Sequence, residues 1–151
     1  TKSLKFNFKQ NTNEKIETGV CYLVFPKKLK CDYKDNKQKE LIINNNRLAI
    51  TQKRYNKTFY YSVKKSPFIK ILDKNQLINL IEGSILNYKN NKIYLTSINH
   101  DKKKITILFK KKNFDLIGWK INDQFENKIS FLIKILSENQ EINLKIFEIP
   151  N

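Results

Sequence analysis

Glycine is scarce in this chain: Gly19, Gly83 and Gly118 are the only three among 151 residues. They are too few and too scattered to build a loop that cradles phosphate. The single histidine, His100, sits in the charged turn His100-Asp101-Lys102, where a solvated imidazole is the ordinary reading. Asp32, Asp73 and Asp115 lie among lysines and read as surface charges. Neither a Ser-His-Asp order nor a paired-carboxylate spacing emerges, so the chain reads as no enzyme and as needing no cofactor. Cys21, Cys31 and His100 are too few to enclose a metal ion. A bridge between the two cysteines needs Cα atoms about 5.5 to 6 Å apart. A hairpin turning on Pro26-Lys27-Lys28 would not set them opposite each other, so two buried thiols are expected. No apolar run approaches the roughly 18 to 20 residues of a membrane-spanning helix. The chain starts at Thr1, inside what reads as an element, which suggests a processed or trimmed product.

Acidic residues are also short in supply, 14 against 30 basic ones, for a net charge of +16. Such an excess fits a polyanionic partner, either nucleic acid or an anionic membrane. Lysine is nevertheless spread over almost every segment beside asparagine and isoleucine, as an AT-rich coding sequence would give. The plainer reading is a solvated surface. Hydrophobic residues at 40% and aromatics at 12% describe a folded protein. The length fits one domain, 1–151, that can bury roughly two-thirds of its unfolded surface.

Alternation dominates the pattern. Leu4, Phe6 and Phe8 alternate with Lys5, Asn7 and Lys9, and further extended runs lie near 16–25, 29–34, 40–44, 47–53 and 58–63. The pattern resumes at 85–89, 92–99, 103–111, 113–122, 127–136 and 142–148. Runs about ten residues apart with polar turns predict an antiparallel meander. The middle differs. Ser66-Pro67 opens a short helical turn carrying Phe68, Ile69, Ile71 and Leu72. A second helix from Lys74 to Glu82, with Leu77, Ile78, Leu80 and Ile81 at helical spacing, can end at Gly83. A dozen strands in one layer must curl, and one or two short helices cannot cover the concave face. The expected fold is therefore mainly β: one curved antiparallel sheet forming a half-open barrel, with a helical lid from an insert at about 66–82.

Several short segments occur in a telling order: Phe8-Lys9-Gln10, the Gly19-to-Tyr33 hairpin, Ile42 to Leu48, Ser66-Pro67-Phe68 to Leu72, Leu116 to Trp119, and Phe147 to Pro150. The set resembles the LolA family of periplasmic lipoprotein carriers over nearly the whole chain. The resemblance implies an incomplete barrel with a helical lid, whose apolar cavity takes the acyl chains of lipoproteins. The partners it implies are an inner-membrane lipoprotein-releasing ABC transporter and, where present, an outer-membrane acceptor. It further implies a periplasmic protein, read as a monomer, whose first helix would precede Thr1 or be reduced to a stub.

On this reading the cavity wall comprises Leu29, Cys31, Tyr33, Ile43, Leu48, Ile50 and Trp119. The lid carries Phe68, Ile71, Leu72, Leu77 and Ile81. One departure stands out: the family commonly has Arg before the Pro of the opening turn, and here that position is Phe25. A guanidinium that could bond several carbonyls is replaced by a ring that bonds none. Two other functions stay open: a nucleic-acid binder stacking bases on Tyr60, Tyr61 or Trp119, or a related barrel that senses lipoproteins. The carrier reading is preferred and implies no nucleic-acid partner.

Overall fold

The computed structural model of the chain describes residues 3–62, 82–98, 104–122 and 127–150. Eleven strands form one antiparallel sheet: β1 (Ser3–Thr12), β2 (Lys15–Val24), β3 (Lys28–Tyr33), β4 (Lys39–Asn44), β5 (Arg47–Gln52), β6 (Lys57–Ser62), β7 (Ile85–Lys89), β8 (Lys92–Ile98), β9 (Lys104–Lys110), β10 (Leu116–Asn122) and β11 (Lys128–Glu138). Their order is β6-β5-β4-β3-β2-β1-β11-β10-β9-β8-β7. Two meanders are thus fused through the β1–β11 ladder, in which Phe6 faces Ile135 and Phe8 faces Ile133. The sheet does not close, because β6 and β7 are its two edges. The predicted mainly β, open, single-sheet architecture is what forms. The predicted helical insert, with Phe68, Ile71, Leu72, Leu77 and Ile81, lies outside the described residues.

Period-2 alternation explains which face is buried. Leu4, Phe6 and Phe8 of β1, Cys21 and Leu23 of β2, and Leu29, Cys31 and Tyr33 of β3 all point to one side. There they join Leu41, Ile43, Leu48, Ile105, Ile107, Trp119, Ile121 and Phe131 in one cluster. We call this the inner face. Two glycines make it possible. A Cβ on Gly19 would meet Asp32 O at 2.1 Å and the Phe8 ring at 2.7 Å, so the bare backbone lets that ring lie flat across β2. Gly118 has φ +154° and sits at a β-bulge that turns Trp119 inward.

The cysteine expectation is corrected. Cys21 and Cys31 form a disulfide with Cα atoms 4.1 Å apart, because the hairpin pairs Val24 with Lys28 and so turns on Phe25-Pro26-Lys27, around a cis Phe25–Pro26 bond. That turn lies one residue earlier than one on Pro26-Lys27-Lys28, which slides each pairing by two residues and puts the cysteines directly opposite on the inner face. A strand expected near 142–148 is also absent. The segment instead forms a 3-10 turn, Leu144–Phe147, which Asn143 caps by accepting from the Lys145 amide. It packs on β3 and β4, each of which already pairs on both sides within the sheet, so neither has an edge free to take a further strand.

This tail runs over the outer face of the first meander. Ser3 Oγ donates to Gln140 O, Asn44 Nδ2 to Phe147 O and Tyr60 Oη to Pro150 O. The strap therefore reaches from β1 to β6, and its turn packs on β3 and β4. Phe147 is fully buried beneath it, and Ile42 and Ala49 are the buried apolar residues of β4 and β5 on that side.

Two outcomes test this account. Cys21→Ser/Cys31→Ser, or reduction, is expected to lower unfolding free energy by about 3 kcal/mol, since a loop of this length closes at roughly that entropic cost; urea titration measures it. Phe147→Ala is expected to cost about 3 kcal/mol by the same measurement, as for other fully buried rings. A loss below about 1 kcal/mol would mean that the strap is loosely held.

Candidate functional site

The inner face is the one extended apolar surface that the sheet builds from both meanders. Its centre is an aromatic row across five strands. Trp119 stacks on Phe131 with centroids 4.5 Å apart, Phe131 stacks on Phe8 at 4.9 Å, and Phe8 meets Tyr33 edge-on at 4.9 Å across the bare Gly19. Such pairs add about 0.5 to 1.5 kcal/mol each beyond burial. The row therefore holds the fusion of the two meanders rigid.

One end of this face turns polar. Tyr33 Oη donates to Gln10 Oε1 at 2.9 Å. Lys39 Nζ stands 4.1 Å over the Tyr33 ring and pairs with Glu17 at 2.5 Å. Burial, then the Glu17 and Asp35 carboxylates, push the Tyr33 hydroxyl well above its ordinary value near 10. The hydroxyl stays protonated and acts only as a hydrogen-bond donor. On the outer face, Glu40 accepts from Lys53 Nζ at 2.6 Å, and this bond chiefly raises the Lys53 pKa.

All seven predicted wall residues lie on the inner face. Leu29, Cys31, Tyr33, Ile43, Leu48 and Trp119 are buried in its cluster, and Ile50 is half-buried against it. They are thus the packed middle of that face. Its open parts are toward the edges, where Phe59 and Tyr61 of β6 are 44% and 46% exposed and Leu86 and Tyr88 of β7 are 51% and 57% exposed. Register joins edge to centre: Phe59 faces Ile50, which faces Leu41, and Leu86 faces Leu95, which faces Ile107. Sequence reasoning left these edge residues out of the wall and named Tyr61 only as a base-stacking candidate, although Phe59 and Tyr61 alternate with Thr58 and Tyr60 and could have been assigned a face. Tyr60 points the other way and bonds the strap. Phe25, where an Arg would be expected, packs against the inner cluster.

A second concavity of about 360 Å³ lies between the strap and β1–β3, lined by Tyr22, Lys30, Asp32, Gln140 and Ile146 among others. Within it Lys30 lies 3.2 Å from Asp32 and 3.6 Å from Glu40, and Lys5 and Glu141 also line it. No group of three or more metal-ligating side chains occurs among the described residues. The inner face can do one thing chemically: shield apolar groups from water.

An eleven-stranded open sheet with an apolar inner face and a second face stitched by a strap defines the class of open, single-sheet half-barrels. The chain matches, over residues 1–150, the family described as outer membrane lipoprotein carrier protein LolA. It belongs to that family. Its fold is similar to the crystal structure of a LolA superfamily protein from Nitrosomonas europaea, with a TM-score of 0.53 at 9% identity over 97% of this chain and 90% of the other. No curated protein sequence matches. The resembling segments also meet in space: Gln10 bonds Tyr33, and Asn44 bonds the carbonyl of Phe147.

The raised values of Tyr33 and Lys53 set a pH dependence. Both groups hold their proton more tightly folded than unfolded, so the stability they supply is complete below about pH 10 and is lost as pH rises beyond it. Thermal unfolding from about pH 9 to about pH 11 is expected to show a falling midpoint. Tyr33→Phe, which cannot ionise, should flatten that fall while costing about 1 kcal/mol at neutral pH for the lost bond to Gln10.

Proposed function

We propose that this protein is a periplasmic carrier for the acyl chains of lipoproteins. It takes cargo from an inner-membrane lipoprotein-releasing ABC transporter and passes it to an outer-membrane acceptor. The observation that carries this reading is the continuation of the apolar inner face, beyond its packed middle, into exposed rows at both edges of an unclosed sheet. Membership of the carrier family supports it. In the proposal, Leu29, Cys31, Tyr33, Ile43, Leu48, Ile50 and Trp119 form the back wall. Phe68, Ile71, Leu72, Leu77 and Ile81 form a helical lid within the chain that links β6 to β7. Because those strands are the two edges, this link joins one side of the opening to the other.

Energetics explain why such a wall should be packed and only its margins open. Burying a CH₂ is worth about 0.8 kcal/mol, so a fully enclosed chain of roughly fifteen methylenes would gain about 12 kcal/mol. Release would then be slow. A partly covered chain keeps enough of that gain to stay out of water while an acceptor with a deeper site can still exceed it. The disulfide in the middle of the wall suits an oxidising compartment such as the periplasm.

Native mass spectrometry after incubation with a synthetic triacylated cysteinyl peptide is expected to show a one-to-one complex. Ile50→Glu, a charge placed where packed centre meets open edge, should weaken uptake by about tenfold or more with the β-sheet circular dichroism retained. The absence of any complex, or equal retention of the deacylated peptide, would refute the carrier reading.

A further inference from the structure

The register sorts the lysines in a way their even spread along the chain conceals. Strands β1, β9 and β11 carry two lysines each and β7, β8 and β10 one each, nine in all. Each occupies an alternate position whose neighbours face inward, so all nine project from the outer face. Lys104 precedes inward Ile105, Lys110 follows Phe109, Lys120 follows Trp119, Lys128 precedes Ile129 and Lys134 follows Ile133. These six strands hold a single carboxylate, Glu138, opposite inward Leu4 at the far end of β11. Among the described residues none of the nine makes an ion pair. The ion pairs instead join Lys30 and Lys53 to Asp32 and Glu40 on the outer face of the other meander, and Lys39 to Glu17 on the inner face. The strap lies over that other meander as well. The outer face is thus divided into a strapped half, where Lys30 and Lys53 pair with Asp32 and Glu40 and where Lys5 lines the concavity, and a half whose other eight lysines make no ion pair among the described residues.

We propose that the outer face of β7–β11 and β1 is a docking surface for the anionic lipid headgroups of a membrane. Six strands at about 4.8 Å spacing make a patch roughly 24 Å wide, a broad area rather than a track for a single polyanionic strand. Its cations are all lysines, compact hydrated charges suited to diffuse attraction, without the fork by which arginine reads phosphate or base edges. Tyr94 is the one aromatic that these strands turn outward, so bases have almost nothing to stack on. Ile85, Ile98 and Leu132 stand exposed between the lysines and can enter the headgroup layer. Docked this way, the sheet presents its outer side to the membrane and leaves the inner face clear. The surface stands independently of the carrier reading.

Vesicle co-sedimentation of the full chain without lipopeptide tests it, so failure here would not bear on acyl uptake. Vesicles of phosphatidylcholine with about 30% phosphatidylglycerol are expected to bind the protein and pure phosphatidylcholine not to. Binding should weaken about tenfold between roughly 50 and 200 mM salt. Lys104→Glu/Lys120→Glu/Lys128→Glu/Lys134→Glu should reduce binding about 100-fold. Lys15→Glu/Lys34→Glu/Lys37→Glu/Lys57→Glu, with the same net charge but on the other meander, should reduce it no more than about fivefold. If the first variant loses its β-sheet circular dichroism, the four matching Lys→Gln changes replace it. Equal loss in both variants would overturn the proposal, as would binding to pure phosphatidylcholine. So would failure to bind the anionic vesicles while holding a double-stranded oligonucleotide.

Discussion

The β1–β11 ladder is the contact on which the rest of the molecule depends. It is the only pairing in the sheet that no hairpin makes, joining strands from opposite ends of the chain, and it converts two meanders into one eleven-stranded surface. Closing so long a loop is entropically expensive. The offset is concentrated at the seam, where Phe8 of β1 stacks on Phe131 of β11 and each ring has a further aromatic neighbour. Gly19 serves the same seam by leaving space for Phe8.

From the seam outward, packing declines in a graded way. Residues near β1 are sealed by neighbours on both sides, whereas β6 and β7 have a neighbouring strand on one side only. Exposed aromatics and aliphatics on those edge strands are what a single-layer sheet produces when it curls without closing. A closed barrel would have hidden them, and a second layer would have covered them. The open margin is therefore a consequence of the topology, and the same topology makes β6 and β7 the two ends of one connecting segment.

The outer face shows how one sheet can do two different jobs. Over the first meander, the strap buries Phe147, hydrogen-bonds Asn44 and Tyr60, and overlies paired charges. Over the second, alternation leaves lysines that make no ion pair among the described residues. Neither arrangement needs a special motif. The first follows from a tail that lies across strands already paired on both sides, the second from alternation alone.

Much of this was legible in the chain. Alternation at Leu4-Phe6-Phe8 and Leu29-Cys31-Tyr33 gave the inner face directly, because side chains in a strand alternate whatever the partner. The polar turns and the ordered segments from Phe8 to Pro150 pointed to an open antiparallel sheet and to the family. Register was not legible. A hairpin turning one residue earlier than expected put Cys21 against Cys31, and no local signal separates the two turns. The tail 142–148 alternates like a strand, but only the finished sheet shows that β3 and β4, on which it packs, have no edge left to accept it. Phe59 and Leu86 look like any other strand residues until strand order makes them margins. The lysines of β1 and β7–β11 look evenly spread in sequence yet share one face in space. Local chemistry thus determined which residues could be buried, while long-range pairing, which depends on every other strand, decided which were covered, which were left open, and which charges met a partner.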